Sequence, residues 1–378
     1  MRRHKLLMSE KSRVRVGVAG AGYIANLSHL PFLSRHKDID LDAICDLNQD
    51  QARRTAQRFH IPRVYSNLKD MLSKEKLQLV DICLPPELHF QAITETLEHG
   101  VNCLVEKPMT LTTKDAEAAI DLADRKRLKL FVIHNYSALP GVLKAKTLVA
   151  QGSIGQVRGV NINHLNIFMD RHLTSNHWVH SLAGDYFSEV GPHLAMLLVE
   201  FMGPVQDATA ICMKASKIDT MKLDECRIIA KSENALGTIC CSENCPSRVL
   251  TIDIWGTEGW IQVNADYQAA VCRGAIDTSM NVWARGREAL KDISTRQLAL
   301  IATAFRVLGG YPAETGQHRY LIDQCIRDLK GEGKYPIDTN LAKEAVRVLE
   351  LAFSKLQTQT LTPSISDSQA TKNGESAS

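Results

Sequence analysis

No stretch of this sequence is apolar for long enough to span a bilayer. Charge of one sign is also scarce. The net charge is +3, and no Lys/Arg stripe is interleaved with aromatics, which make up 6% of the residues. That balance excludes a nucleic-acid partner held by charge. A disulfide framework is missing too: the ten cysteines lack its even spacing. Cys45, Cys83 and Cys103 sit inside apolar runs, which points to buried, reduced thiols in a cytoplasmic protein. Cys240, Cys241 and Cys245 have neither a second C-x-x-C pair nor a partnered histidine cluster, so no metal site is expected. The opening "MRRHKLLMSEKSR" is basic without an apolar core, unlike a secretory signal. No internal repeat is found.

What is present is a globular composition, 44% hydrophobic and 23% charged over 378 residues. That length favours two domains over one core. After a flexible start (1–12), residues 13–135 alternate short apolar runs with helical segments. The runs are "VRVGVAG", "LDAICD", "LVDICLP", "NCLVEKP" and "KLFVIH". Continuous apolar runs read as strands buried on both faces, and repeated βα units imply a doubly wound parallel sheet of Rossmann type. Beyond Pro140 the period changes. One helix is followed by successive strand-like runs and a single helical stretch, "GPHLAMLLVEFMG". Residues 136–356 therefore read as an α+β domain with a mostly antiparallel sheet. Residues 357–378 are Ser/Thr-rich and read as a disordered tail.

"GAGYIA" (Gly20 to Ala25) follows a predicted strand and opens a predicted helix, the setting a dinucleotide-binding loop requires. Gly20 allows the turn, Gly22 allows close approach of a pyrophosphate, and Ala25 lets the helix pack closely. Tyr23 and Ile24 complete the loop at the helix N-terminus, where free N–H groups favour an anion. Asp46 ends the second strand. A carboxylate there accepts hydrogen bonds from a ribose 2′-hydroxyl and repels a 2′-phosphate, so NAD is expected over NADP.

Three further stretches, "LPPELHFQA", "VEKPMTLT" and "AGDYFSEVGPHLAMLL", accompany that loop. Together they resemble the Gfo/Idh/MocA family of NAD(P)-dependent oxidoreductases over residues 13–355. The resemblance implies a Rossmann domain followed by an α+β domain with an open-faced sheet. Pro85 and His89 match a loop near the nicotinamide, with Pro86 in place of the usual Asn. Glu106-Lys107-Pro108 matches the family's "EKP", whose lysine lies at the catalytic site and whose proline often follows a cis peptide. Asn135 matches a further motif whose Arg is absent here. Gly184, Gly191 and His193 match the last motif, in which Glu189 replaces the usual Asp and Met196 a later one. Glu106, Lys107 and Asn135 are thereby placed with Pro85 and His89 at the cofactor.

Oxidising a secondary alcohol needs a base for the hydroxyl proton and a cation for the developing alkoxide. His193 suits the first role and Lys107 the second. Glu189 lies four residues before His193, on the same side of a helix, where its carboxylate orients the imidazole or binds substrate. The expected activity is hydride transfer between a nicotinamide and a hydroxyl or keto group of a sugar, cyclitol or sugar derivative, in a homodimer or homotetramer. Two rival readings stand beside it: a non-catalytic cofactor-binding regulator of the same fold, and a peripheral membrane protein acting through the amphipathic 280–310 segment. That segment also suits a lid or subunit contact. Trp178 either lines the substrate pocket or packs ordinarily.

Overall fold

The computed structural model describes residues 13–167, 178–216, 219–266, 268–274, 282–308, 316–354 and 356–360. Its first half alternates strand and helix. β1 (Val14–Ala19) leads through a π turn (Ala25–His29) to α1 (Leu30–Leu33), then β2 (Ile39–Cys45), α2 (Gln49–Phe59), β3 (Arg63–Tyr65) and α3 (Leu68–Lys74). β4 (Leu79–Ile82), α4 (His89–Glu98), β5 (Asn102–Glu106), α5 (Thr113–Lys126) and β6 (Leu130–Ile133) follow. The helices start where the chain supplies caps: Asn48, Asn67 and Thr112 each accept a hydrogen bond from a backbone N–H of the first turn. All four residues of β4 are buried, as a strand covered on both faces requires.

The six strands form a parallel sheet in the order β3-β2-β1-β4-β5-β6. The winding direction reverses between β1 and β4. A crevice therefore opens at the C-terminal ends of these strands, where a doubly wound sheet binds its ligand.

The second sheet grows from α6 (Pro140–Ala150), β7 (Val157–Ile167), α7 (Phe187–Met202), β8 (Val205–Lys214), β9 (Glu225–Ser232), β10 (Leu236–Ser242), β11 (Asn244–Gly256), β12 (Gly259–Asn264) and β13 (Ala269–Gly274). Then come α8 (Val282–Leu308), α9 (Gly316–Leu329), α10 (Thr339–Ser354) and β14 (Gln357–Thr360). The sheet order is β13-β12-β11-β7-β10-β9-β8-β14. Only the β10–β7 and β14–β8 pairs are parallel. Side chains alternate between the two faces. Val160, Ile162, Ile228, Ile239 and Ile252 are buried on one face, while Ile211, Ile229 and Leu236 on the other are 50–59% exposed. α7 lies on the buried face so closely that a Cβ on Gly237 would stand 2.6 Å from a Leu198 methyl.

Gln357–Thr360, at the start of the stretch read as a tail, pair with β8 as an edge strand. Backbone pairing at a sheet edge needs no apolar side chain, so composition does not reveal it. The 136–356 unit is not self-contained, for its last helices return to the first domain. Tyr335 Oη donates to Val132 O, Thr339 Oγ1 donates to Leu130 O, and Glu350 accepts from the Thr113 backbone. α8 forms one long helix whose Arg296 reaches Gln262, with Trp283 and Phe305 exposed. No described helix is long and apolar enough to cross a membrane. Residues 1–12, 168–177 and 361–378 lie outside the described residues.

Candidate active site

Gly20 follows β1 with φ +103°, and a Cβ there would stand 2.5 Å from the Cys83 carbonyl. Only glycine fits that turn. Gly22 opens onto empty space, with no atom within 4 Å of where a Cβ would stand. The loop is fastened from outside. Asp46 accepts hydrogen bonds from Ala21 N (2.7 Å) and Asn48 N (2.7 Å), Gln51 donates to Ala21 O (2.6 Å), and Asn26 donates to Ala21 O and Gly22 O. Asp46 thus shapes the loop as well as ending β2. Tyr23 is exposed and Ile24 packs partly into the core.

Across the crevice Pro85 is exposed, while His89 is buried between Pro108 O (2.7 Å) and Leu84 O (2.8 Å). His89 therefore clamps the loop before α4 to the loop after β5. The Lys107-Pro108 peptide is cis. At the end of β6, Asn135 leaves its Oδ1 buried without a hydrogen-bond partner. An orphaned acceptor after β6 and an open glycine cradle after β1, at the same end of one parallel sheet, fit a dinucleotide with a nicotinamide carboxamide to offer.

Glu106, expected at the cofactor, has its carboxylate bonded inside the fold. Glu106 is 5% exposed. Its Oε1 lies 2.9 Å from His29 Nε2 and 3.3 Å from His318 Nε2, while His29 Nδ1 lies 2.8 Å from Asp81. Burial opposes ionisation of Glu106, but the two imidazoles outweigh it and hold the carboxyl well below its usual range.

Lys107 points into the cleft between the domains. Its Nζ lies 2.6 Å from Glu189 Oε1 and 3.0 Å from Glu189 O. Glu189 and His193 both lie on α7, one turn apart, as their spacing predicts. The carboxylate pairs with Lys107 rather than with the imidazole. His193 is instead stacked on Tyr136, with ring centroids 4.3 Å apart and planes 17° apart. Its Nδ1 has no hydrogen-bond partner. Burial, then the Lys107 charge, push its pKa well below the ordinary imidazole value, so the ring is neutral. His134 behind it is also neutral, pushed down to about 3 by burial, and neither of its ring nitrogens is bonded.

Sequence reasoning missed Tyr136, His134, His29 and His318. Tyr136 stands next to Asn135, in a motif lacking its usual Arg, and that substitution was the available signal. His318 lies 212 positions from Glu106 in the chain (318 against 106), and nothing local announces it.

Two family profiles match this arrangement. The profile described as an oxidoreductase family with an NAD-binding Rossmann fold matches residues 14–134, and that of the GFO/IDH/MocA C-terminal domain matches residues 142–262. The chain belongs to the Gfo/Idh/MocA family. Among curated relatives, an oxidoreductase of Formosa agariphila is 25% identical over 52% of this chain and 63% of its own length. The D-glucoside 3-dehydrogenase of Escherichia coli is 27% identical over 39% of this chain and 42% of its own. The chain thus spans roughly half the length of these relatives. The WlbA dehydrogenase of Bordetella pertussis, solved with NADH and UDP-GlcNAcA, superposes with a TM-score of 0.73 at 19% identity, covering 91% of this chain and 95% of that one. At that identity the likeness shows the fold alone.

Proposed function

We propose that this family member is an NAD-dependent oxidoreductase acting on a hydroxyl or keto group of a sugar, cyclitol or sugar derivative. One observation carries the reading: Lys107 of the cofactor domain meets Glu189 and His193 of α7 in a single cleft, the lysine bonded to the carboxylate at 2.6 Å. Gly20, Gly22, Tyr23, Ile24, Asp46, Pro85, His89, Glu106, Lys107 and Asn135 would hold the dinucleotide. Bound there, it supplies the hydride acceptor or donor.

The chain's own residues do the rest. His193, neutral because burial and Lys107 disfavour its charge, takes the hydroxyl proton in the oxidative direction and returns it in the reductive one. Tyr136 fixes the imidazole plane by stacking, which leaves a ring nitrogen free for substrate. Lys107 donates to the reacting oxygen as negative charge develops on it. Glu189 holds the ammonium in place and is 37% exposed, so it also meets solvent-borne hydroxyls. A carboxylate at Asp46 favours the ribose hydroxyl of NAD over a 2′-phosphate. The relatives named as D-glucoside 3-dehydrogenase and D-apiose dehydrogenase support a carbohydrate-like substrate.

We further propose a cytoplasmic homodimer or homotetramer that covers the outer sheet face around Ile211, Ile229 and Leu236. The test is a screen of purified protein with NAD or NADH against a panel of sugars, cyclitols and nucleotide sugars, read by nicotinamide absorbance. Turnover that His193→Ala abolishes supports the reading. NAD binding without turnover of any panel member in either direction overturns it.

A further inference from the structure

A second set of polar side chains lies beyond Tyr136, on the buried face of the second sheet. Register builds it. Cys241 on β10 is the cross-strand partner of His164 on β7 and, on its other side, of Cys226 on β9. Side chains of register partners on one face stand beside each other. Glu243, between β10 and β11, turns its carboxylate into the same place. His164 Nδ1 lies 3.6 Å from Cys241 Sγ and 3.9 Å from Glu243 Oε1. All three residues are buried, and their donor atoms lie within 4.8 Å of one another.

The group is unsatisfied as bare protein. A thiol–imidazole hydrogen bond accounts for Cys241 and His164, but both oxygens of Glu243 are buried with no hydrogen-bond partner. Burying such a group unpaired is costly. Burial, then Glu225 and Asp224, push its pKa up to about 8. His164 is pushed down to about 4 by burial first, so it is neutral and offers a lone pair rather than a charge.

We propose that His164, Cys241 and Glu243 bind a divalent transition-metal ion of the zinc type. Zinc takes thiolate sulfur at about 2.3 Å and imidazole nitrogen or carboxylate oxygen at about 2.0–2.2 Å. In a tetrahedral site those bonds set nitrogen and sulfur roughly 3.5 Å apart, close to the separation present here. Glu243 stands about half an ångström too far from His164 for shared ligation, and its closing on the other two donors gives a three-donor set with one open position. The mixed sulfur, nitrogen and oxygen donors exclude calcium and magnesium, which take oxygen alone. On binding, the Cys241 thiol and the Glu243 carboxyl give their protons to solvent and the thiolate and carboxylate take the metal, so affinity rises with pH. The ion ties β7 and β10 together where Cys241 stands beside His164. The spacing of Cys240, Cys241 and Cys245 gave no hint of this set, because its histidine lies 77 positions away and only sheet register brings it in.

The experiment uses the full chain without an affinity tag, stripped with a chelator and titrated with Co²⁺. The expected result is one Co²⁺ per chain, with a thiolate charge-transfer band in the near ultraviolet and displacement by Zn²⁺. Cys241→Ser loses that band, and Glu243→Gln weakens Co²⁺ binding by about tenfold or more. Cys83→Ser serves as control, since Cys83 belongs to a separate His29/Asp81/Cys83 group. NADH binding reports whether each variant is folded. If Cys241→Ser fails to fold, Glu243→Gln decides. No band in the unmodified protein, a band that survives Cys241→Ser, unchanged affinity in Glu243→Gln, or a band lost in Cys83→Ser overturns the proposal.

Discussion

Glu106 and Lys107 are adjacent in the chain and belong to two regions wired in opposite ways. Glu106 enters a nearly closed cluster with His29, Asp81 and His318, in which both nitrogens of His29 and the Glu106 carboxylate are bonded at 2.8–3.3 Å and His318 Nδ1 is the one ring nitrogen left without a partner. Lys107 enters the cleft. There His193 Nδ1, Asn135 Oδ1 and both His134 nitrogens have no partner. Buried polar atoms are almost always satisfied, so the difference separates two duties. The closed cluster joins the first domain to α9 and serves stability. The open one keeps its bonding capacity for something the chain does not itself provide.

The comparison breaks at once if the two regions respond alike to mutation. His193→Ala should lower kcat by about 10²–10⁴-fold while thermal stability and NAD affinity change little. Steady-state kinetics beside a melting curve check this. A variant that melts early with kcat intact places His193 on the structural side.

His29→Gln should do the reverse. Removing one partner of a buried charged network costs about 3–5 kcal/mol. Its pH dependence sharpens the point. Burial, the largest single influence, favours a neutral His29, but Asp81 and Cys83 together outweigh it and hold the pKa well above the ordinary value. The stability from His29 is therefore fully present below about pH 6.5 and is lost as pH rises through the raised value. Glu106 is lowered, so its contribution is fully present above about pH 4.3 and is lost as pH falls through the lowered value. The gap in Tm between the unmodified protein and His29→Gln should be widest between those limits. Differential scanning fluorimetry across pH reads it, and a gap that widens steadily on the alkaline side contradicts the account.

A subtler test links the adjacent residues. The Lys107 charge helps depress the His193 pKa, so Lys107→Met should move that pKa up toward 6.5. The residual rate of oxidation, which needs the neutral ring, should then begin to fall at a higher pH than in the unmodified protein. A pH–rate profile whose acidic limb stays put removes Lys107 from the electrostatics of His193. The smallest effect concerns the loop. Asp46→Ala should weaken NAD binding by about tenfold and narrow its advantage over NADP, by losing a charge-assisted contact and the bond to Ala21. Calorimetry with both dinucleotides checks it.

Local pattern alone was enough for the first domain. The run from Val14 to Gly20, the acid at Asp46 and the alternation of apolar runs with capped helices are short-range features, and strand, turn and helix chemistry acts over those same few residues. The spacing of Glu189 and His193 likewise fixed their common side of α7, because a helix repeats every 3.6 residues. Other features came from contacts that no local rule reaches. β14 was hidden because edge pairing uses backbone groups, which every sequence possesses. Glu106 was expected at the cofactor as part of the "EKP" motif, and only the closing of α9 over the first domain brings His318 to its carboxylate. The same holds for His164 and Cys241. Sequence determined that each is a buried-strand residue or nearly so, whereas the order of the strands decided which of them touch, because pairing across a sheet is set by topology and register rather than by distance along the chain.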